Sequence, residues 1–216
     1  MKKIILLAAL SASFSVAAQP SSQIAWTAEQ LNFVKAGNPQ KGKELAQTCN
    51  ACHGSSGISS MPGTPSLAGQ LPTYLFKQLL DYQNGSRSHA LMSAQATTLG
   101  KQDATDLAAW FAGLPQAFQS AANPSTYEKA EKLVKIGDNE RILPPCEVCH
   151  GKSGQGEKMD IPALSGQSAD YLAGTLKAFK EHSRHNDIYS RMRLIAETLS
   201  DQEIEELSYY YQNGVK

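Results

Sequence analysis

The chain has 216 residues, 41% hydrophobic and 19% charged, with 20 basic and 20 acidic side chains in balance. This composition excludes wholesale disorder, and the zero net charge argues against a nucleic-acid binder, which carries a basic excess. No apolar run is long enough to span a bilayer, and four cysteines are too few for a disulfide-dense scaffold.

The first segment reads as an address. Lys2 and Lys3 precede a short apolar stretch over residues 4–16, and Val16-Ala17-Ala18 offers small residues for cleavage. That three-part pattern predicts a secretory signal over residues 1–18, with cleavage after Ala18. Removing it leaves 18 basic and 20 acidic residues, a net charge of −2. The expected location is a bacterial periplasm, where cysteines are free to pair.

Residues 19–36 form an extension in which residues 27–34 predict one short helix. Asn38-Pro39 predicts a helix start, with an N-cap followed by proline at the first helical position. Next comes Cys49-Asn50-Ala51-Cys52-His53, a CxxCH, and then a stretch rich in glycine and proline that reads as loop up to Gln70. Tyr74, Leu75, Gln78, Leu79 and Tyr82 recur at helical spacing. Residues 116–126 carry alanine, serine, asparagine and proline and predict a linker.

The pattern then repeats. Ser125-Thr126-Tyr127-Glu128 has capping-box form, and Cys146-Glu147-Val148-Cys149-His150 is a second CxxCH. Pro65-Ser66-Leu67-Ala68-Gly69-Gln70 begins twelve residues after His53, and Pro162-Ala163-Leu164-Ser165-Gly166-Gln167 begins twelve after His150. Tyr171, Leu172, Leu176 and Phe179 repeat the helical spacing. Met92 precedes Leu99 by seven residues and Met192 precedes Leu199 by seven, so the second copy carries three extra residues before Met192. Trp110-Phe111 corresponds to Tyr210-Tyr211, and Ser200-Asp201-Gln202-Glu203 predicts a capped last helix. No run shows sustained strand alternation. The expected architecture is all-α: two tandem helical domains, residues 37–119 and 120–216.

CxxCH carries haem chemistry for a physical reason. Two cysteines three apart can each add through sulfur to one haem vinyl group, and the next histidine is then held beneath the iron. Both motifs together use all four cysteines, Cys49, Cys52, Cys146 and Cys149, so none is left for a disulfide. Zinc is the competing reading, but paired CxxC zinc motifs lie about 15–20 residues apart, whereas 93 residues separate Cys52 from Cys146. A thioredoxin-like pair needs a βαβ setting that this helical pattern lacks. The expected cofactors are two covalently attached c-type haems, with His53 and His150 as proximal iron ligands.

For the distal ligand the mature chain offers Met61, Met92, Met159 and Met192. Met61 and Met159 sit at unequal offsets after their histidines. Met92 and Met192 occupy equivalent places before the last helix and are the expected ligands; thioether ligation raises the potential and suits an electron carrier. His89, His182 and His185 are the alternatives, each reading more simply as a solvated side chain. Lys177, Lys180, His182, Arg184 and His185 read as a solvated basic helix face.

These motifs resemble cytochrome c4, the two-domain di-haem cytochrome family of bacterial periplasms. The resemblance rests on the two CxxCH-Gly motifs, the two Pro-x-Leu-x-Gly-Gln elements, the two Met-x6-Leu segments and the Leu199-Ser200-Asp201-Gln202-Glu203 helix start. It implies His53 with Met92 on one iron and His150 with Met192 on the other. It also implies that the Pro65 and Pro162 carbonyls accept hydrogen bonds from the proximal imidazoles, and that the units pack with haem edges approaching. The extension and Leu99-Gly100-Lys101-Gln102-Asp103, where the second unit has Leu-Ser-Asp-Gln, depart from the pattern. The implied function is non-enzymatic transfer of single electrons from a quinol:cytochrome c oxidoreductase to a terminal oxidase, by a monomer, with peripheral membrane association left open. The alternative is a cytochrome subunit taking electrons from a periplasmic dehydrogenase.

Overall fold

The computed structural model describes residues 21–116, 127–157 and 159–213. The expected signal and most of the expected linker lie outside these residues, as do Ser125 and Thr126 of the expected capping box. Among the described residues the chain forms eleven α-helices and no β-strand, only two isolated bridges, Asp138 with Leu143 and Glu157 with Ile161.

Local chemistry starts and stops the helices. Helix α1 (Ala28–Lys35) follows Thr27, whose side chain accepts from the Gln30 amide. Helix α2 (Pro39–Leu45) follows Asn38, whose side chain accepts from Gln40 and Lys41, and Pro39 has no N–H to leave unpaired. Helix α3 (Asn50–His53) is the single turn of the first CxxCH. Helices α4 (Pro72–Asn84), α5 (Ala90–Thr97) and α6 (Lys101–Ala112) complete the first unit. The second contains α7 (Glu128–Lys135), α8 (Glu147–His150), α9 (Ala169–Lys180), α10 (Arg191–Thr198) and α11 (Asp201–Gln212). At α11 both halves of the capping box form, Ser200 Oγ with the Glu203 amide and Glu203 with the Ser200 amide. At α6, Gly100 has no side chain to offer, so only the Asp103 carboxylate on the Gly100 amide remains. Helix α7 starts after Tyr127, whose side chain makes no cap bond.

The last helix is the platform of each unit: α6 carries α1, α2 and α4, and α11 carries α7 and α9. Helix α2 crosses α6 at Gly42, where a Cβ would stand 2.0 Å from the Asp106 carbonyl. Two separate apolar clusters result. One joins Val34, Leu75, Phe76, Leu107 and Phe111; the other joins Leu133, Val134, Leu172, Ile204, Leu207 and Tyr211. Each is modest, as expected for units of this size.

Two loops distinguish the second unit. The three extra residues before Met192 fall between α9 and α10, where Tyr189 and Ser190 are consecutive left-handed residues (φ 59° and 56°). Ahead of the haem motif, ten residues separate α7 from Cys146, against three between α2 and Cys49. Arg141 pins that longer loop. It grips both Glu203 oxygens at 2.8 and 2.9 Å, the Thr198 carbonyl at 3.0 Å and Asp138 at 2.8 Å. Hydrogen bonding from Arg141 holds the Glu203 carboxyl down at about 2. A carboxylate whose folded value is depressed stabilises the fold above its ordinary range and loses that contribution as pH falls towards the folded value. Arg141→Ala is therefore expected to cost the second unit about 1 kcal/mol at neutral pH after solvent screening. It should also flatten the fall in melting temperature between about pH 4.5 and pH 2, ordinary and folded carboxylate values respectively. Thermal melts of wild type and variant across that range check both.

Candidate functional site

One helical turn places residues three and four apart on the same face. In α3 the His53 amide donates to the Cys49 carbonyl at 3.0 Å, and in α8 the His150 amide donates to Cys146 at 2.9 Å. Each turn therefore presents two thiols and one imidazole to the same side. Each ends at a glycine with positive φ, Gly54 (79°) and Gly151 (83°), where a side chain would be strained. None of the four cysteines pairs with another in a disulfide, and burial works against ionising the Cys49 and Cys146 thiols before they are used.

Both imidazoles are buried, His53 5% and His150 7% exposed. His53 Nδ1 lies 2.8 Å from the Pro65 carbonyl oxygen and His150 Nδ1 lies 2.9 Å from that of Pro162. A carbonyl only accepts, so Nδ1 carries the hydrogen and Nε2 keeps its lone pair for a metal. Burial lowers the pKa of both rings, favouring the neutral form a ligand needs. The proline loops repeat: Leu67 and Ala68 donate to the Gly57 carbonyl, as Leu164 and Ser165 donate to Gly154. These bonds hold the proline carbonyls against the imidazoles, as the family resemblance implied.

Met92 lies in the first turn of α5 and Met192 in the first turn of α10, both half-buried. Met61 and Met159 are more exposed, at 46% and 37%. His89 is exposed and caps α5, its Nδ1 accepting from the Met92 amide. His182 is exposed and pairs with Glu197 at 2.6 Å. The donor set fits a covalently held haem in each unit: two thiols, and an imidazole with Nε2 free. Each thiol S–H would add across a vinyl C=C of the haem and hold it as a thioether, with no external oxidant needed.

The two units meet through a pseudo-two-fold exchange that the repeat did not reveal. Gln70 Nε2 donates to the Ala163 carbonyl (3.0 Å) and its Oε1 accepts from the Ala163 amide (2.8 Å). Gln167 does the same to Ser66, at 2.9 and 2.8 Å. The final glutamine of each Pro-x-Leu-x-Gly-Gln element thus binds the second residue of the other element. Beside this, Arg87 donates to the Tyr171 hydroxyl at 3.2 Å and Arg184 donates to Tyr74 at 3.1 Å. Burial works to raise the Tyr171 pKa, but the Arg87 and Arg184 guanidiniums outweigh it and draw the phenol down to about 7. Arg184 therefore corrects the reading of a solvated basic face. It is 8% exposed, because its guanidinium is paired across the junction with Tyr74 and Gln78. Arg87 and Arg184 stand 97 apart, the same offset as Tyr74 and Tyr171, which marks the two arginines as equivalent without saying what either one binds.

A third group sits deeper. Lys77 and Asp81, one turn apart on α4, form an ion pair at 2.5 Å with 1% and 0% side-chain exposure. Lys77 also donates to the Asn186 carbonyl (2.7 Å), and Asn186 Nδ2 donates to Asp81 (2.7 Å) and Gln78 (2.9 Å). Asn186 belongs to the longer α9–α10 loop, so that insertion reaches across to the first unit. Gln116 also leaves the expected linker, donating to the Ser165 carbonyl at 2.5 Å.

Gln70→Ala is expected to leave the Ala163 amide and carbonyl buried without partners, at a cost of about 2–3 kcal/mol. Gln167→Ala should cost a similar amount through Ser66. Chemical denaturation of the haem-loaded protein checks this, and equal losses would bear out the pseudo-symmetry.

Comparison with known proteins bears on the same residues. The family model described as "Cytochrome c" matches residues 39–115 and 142–214. A cytochrome c4 of Thiocapsa roseopersicina is 42% identical, covering 82% of this chain and 92% of the relative. A "Thiosulfate dehydrogenase electron acceptor" of Stutzerimonas stutzeri is 35% identical over 78% of this chain and 79% of the relative. The crystal structure of reduced cytochrome c4 from Pseudomonas stutzeri superposes with a TM-score of 0.79 at 36% identity, covering 82% of this chain and 99% of that one.

Proposed function

The chain belongs to the cytochrome c family as a two-haem protein of the cytochrome c4 type, and we propose on that premise that it carries single electrons between respiratory complexes in the periplasm. Two covalently bound c-type haems and electron transfer follow from the family. The donor, a quinol:cytochrome c oxidoreductase, and the acceptor, a terminal oxidase, are our reading. So are export by the signal at residues 1–18 and the absence of enzymatic turnover.

The observation that carries the reading is the repeated proximal arrangement, a buried imidazole held by a proline carbonyl in each unit. The haem, when bound, supplies reversible one-electron exchange at its iron. Cys49, Cys52, Cys146 and Cys149 would hold the two macrocycles covalently. The Pro65 and Pro162 carbonyls fix the tautomer and ring orientation of His53 and His150 and raise their basicity. Met92 and Met192 would complete the two ligand sets, favouring the reduced iron and closing the distal side to substrates. Arg87 and Arg184, whose acceptors here are amide and phenol oxygens rather than carboxylates, are cations of the kind that meet carboxylates such as haem propionates.

The likeness to a thiosulfate dehydrogenase electron acceptor favours one second reading, in which a periplasmic dehydrogenase is the donor. The test is reduction of the haem-loaded protein, once by a purified quinol:cytochrome c oxidoreductase with quinol and once by a thiosulfate dehydrogenase with thiosulfate. Faster reduction in the first assay, followed by reoxidation by a terminal oxidase, is expected. Fast reduction only in the second would replace the quinol route with the dehydrogenase route.

A further inference from the structure

The extension ahead of α1 bridges the two units. Ser21 Oγ donates to the Asp187 carbonyl of the second unit at 2.8 Å. Ser22 Oγ, one residue on, donates to Asp81 Oδ1 of the first unit at 2.7 Å. The Ile24 amide returns to Ser22 Oγ at 3.3 Å, and Ile24 and Trp26 pack against the apolar cluster of the first unit. The segment is thus anchored on one unit and reaches the other with its leading residue.

Both contacts fall on working points of the junction. Asp81 is fully buried and gathers donors from three stretches of chain: Ser22 on Oδ1, and Lys77 and Asn186 on Oδ2. Asp187 supports the start of α10, its carboxylate accepting from the Arg193 amide at 3.0 Å and Arg193 Nε at 2.7 Å. Met192 is the neighbour of Arg193 in that turn. The bridge lies wholly ahead of residue 39, where the family match begins, so it is an addition to the shared domain.

We propose that residues 21–24 are a strap that holds the two units in register, and that Ser22, acting through Asp81, is a positioning residue for electron exchange between the haems. The exchange rests on the two-haem reading above; the strap itself does not. Exchange between two redox centres falls steeply with their separation, so a strap across the junction acts on it without touching either iron.

The test uses the full mature, haem-loaded chain and the variants Ser22→Ala and Ser22→Thr. The Ser66 and Ala163 amides are bonded across the junction and report its opening by hydrogen exchange. The His53 and His150 amides are bonded within their own turns and report each unit alone. Losing a hydrogen bond to a charged acceptor is expected to speed exchange at Ser66 and Ala163 about ten-fold in Ser22→Ala. His53 and His150 should be unchanged, and Ser22→Thr, which keeps the hydroxyl, should restore protection. After rapid one-electron reduction, equilibration between the haems is expected to slow in Ser22→Ala with both optical spectra unaltered. Unchanged protection at Ser66 and Ala163 would overturn the strap, as would equal loss at His53 and His150. Loosened junction amides with unaltered equilibration would overturn the positioning role. Abnormal haem spectra in the wild type would instead count against the electron-carrier reading, and the exchange result would still decide the strap.

Discussion

Met192→Ala is expected to keep two covalent haems per chain while one haem loses the ferric charge-transfer band of methionine–iron ligation. Attachment depends on Cys146, which precedes α8, and Cys149 within it, both of which the substitution leaves untouched. The distal thioether favours ferrous iron, so its loss should lower that haem's potential by on the order of tenths of a volt, within the roughly 0.8 V range that axial ligands command. Met92→Ala should do the same to the other haem, and Met159→Ala and Met61→Ala should do neither. Potentiometric titration followed optically separates the two haems. A band that survives Met192→Ala and vanishes in Met159→Ala would reassign the ligand to the loop before Pro162.

Asp81→Ala is expected to destabilise the folded, haem-loaded protein by about 3–5 kcal/mol, the cost of leaving a buried charge without its partner. The partner is Lys77, whose ammonium would keep only the Asn186 carbonyl. Burial already lowers the Lys77 pKa, with Asp81 opposing that effect, so removing the carboxylate drives the amine further towards its neutral form. The double variant Lys77→Met, Asp81→Leu replaces two charges with apolar side chains of similar size. It should recover most of the loss or exceed wild type, because the desolvation penalty of both ions disappears with them. Guanidinium denaturation monitored by far-UV circular dichroism measures all three proteins. A loss below about 1 kcal/mol in Asp81→Ala would mean that the pair is solvated and the junction open, since exposed pairs are worth no more than that.

Much of this molecule is legible in its sequence. The short helix in the extension is capped by Thr27 and runs over Ala28–Lys35, Asn38-Pro39 forms a helix start, and Ser200 with Glu203 makes both bonds of its box. The proline carbonyls stand where the family resemblance implied, 2.8 and 2.9 Å from the imidazoles. The junction was not legible. Gln70 and Gln167 repeat in sequence, but the repeat does not say what either binds, and Arg184 lies in a charged run typical of a solvated face. Lys77 and Asp81 stand one turn apart, a spacing that in most helices faces water, and nothing in the chain marks this pair as buried.

The haem attachment motifs and the helical character of each unit can be read from the chain alone, because they depend on neighbours within a turn or a loop. Residues three, four or twelve apart leave a spacing that can be counted. Only the tertiary structure decided how the units join. Gln167 meets Ser66 across 101 residues, Arg184 meets Tyr74 across 110, and Ser21 meets Asp187 across 166. No periodicity marks such pairs. Whether a serine or an arginine is solvated or buried at a junction follows from where two separately folded surfaces come to rest against each other.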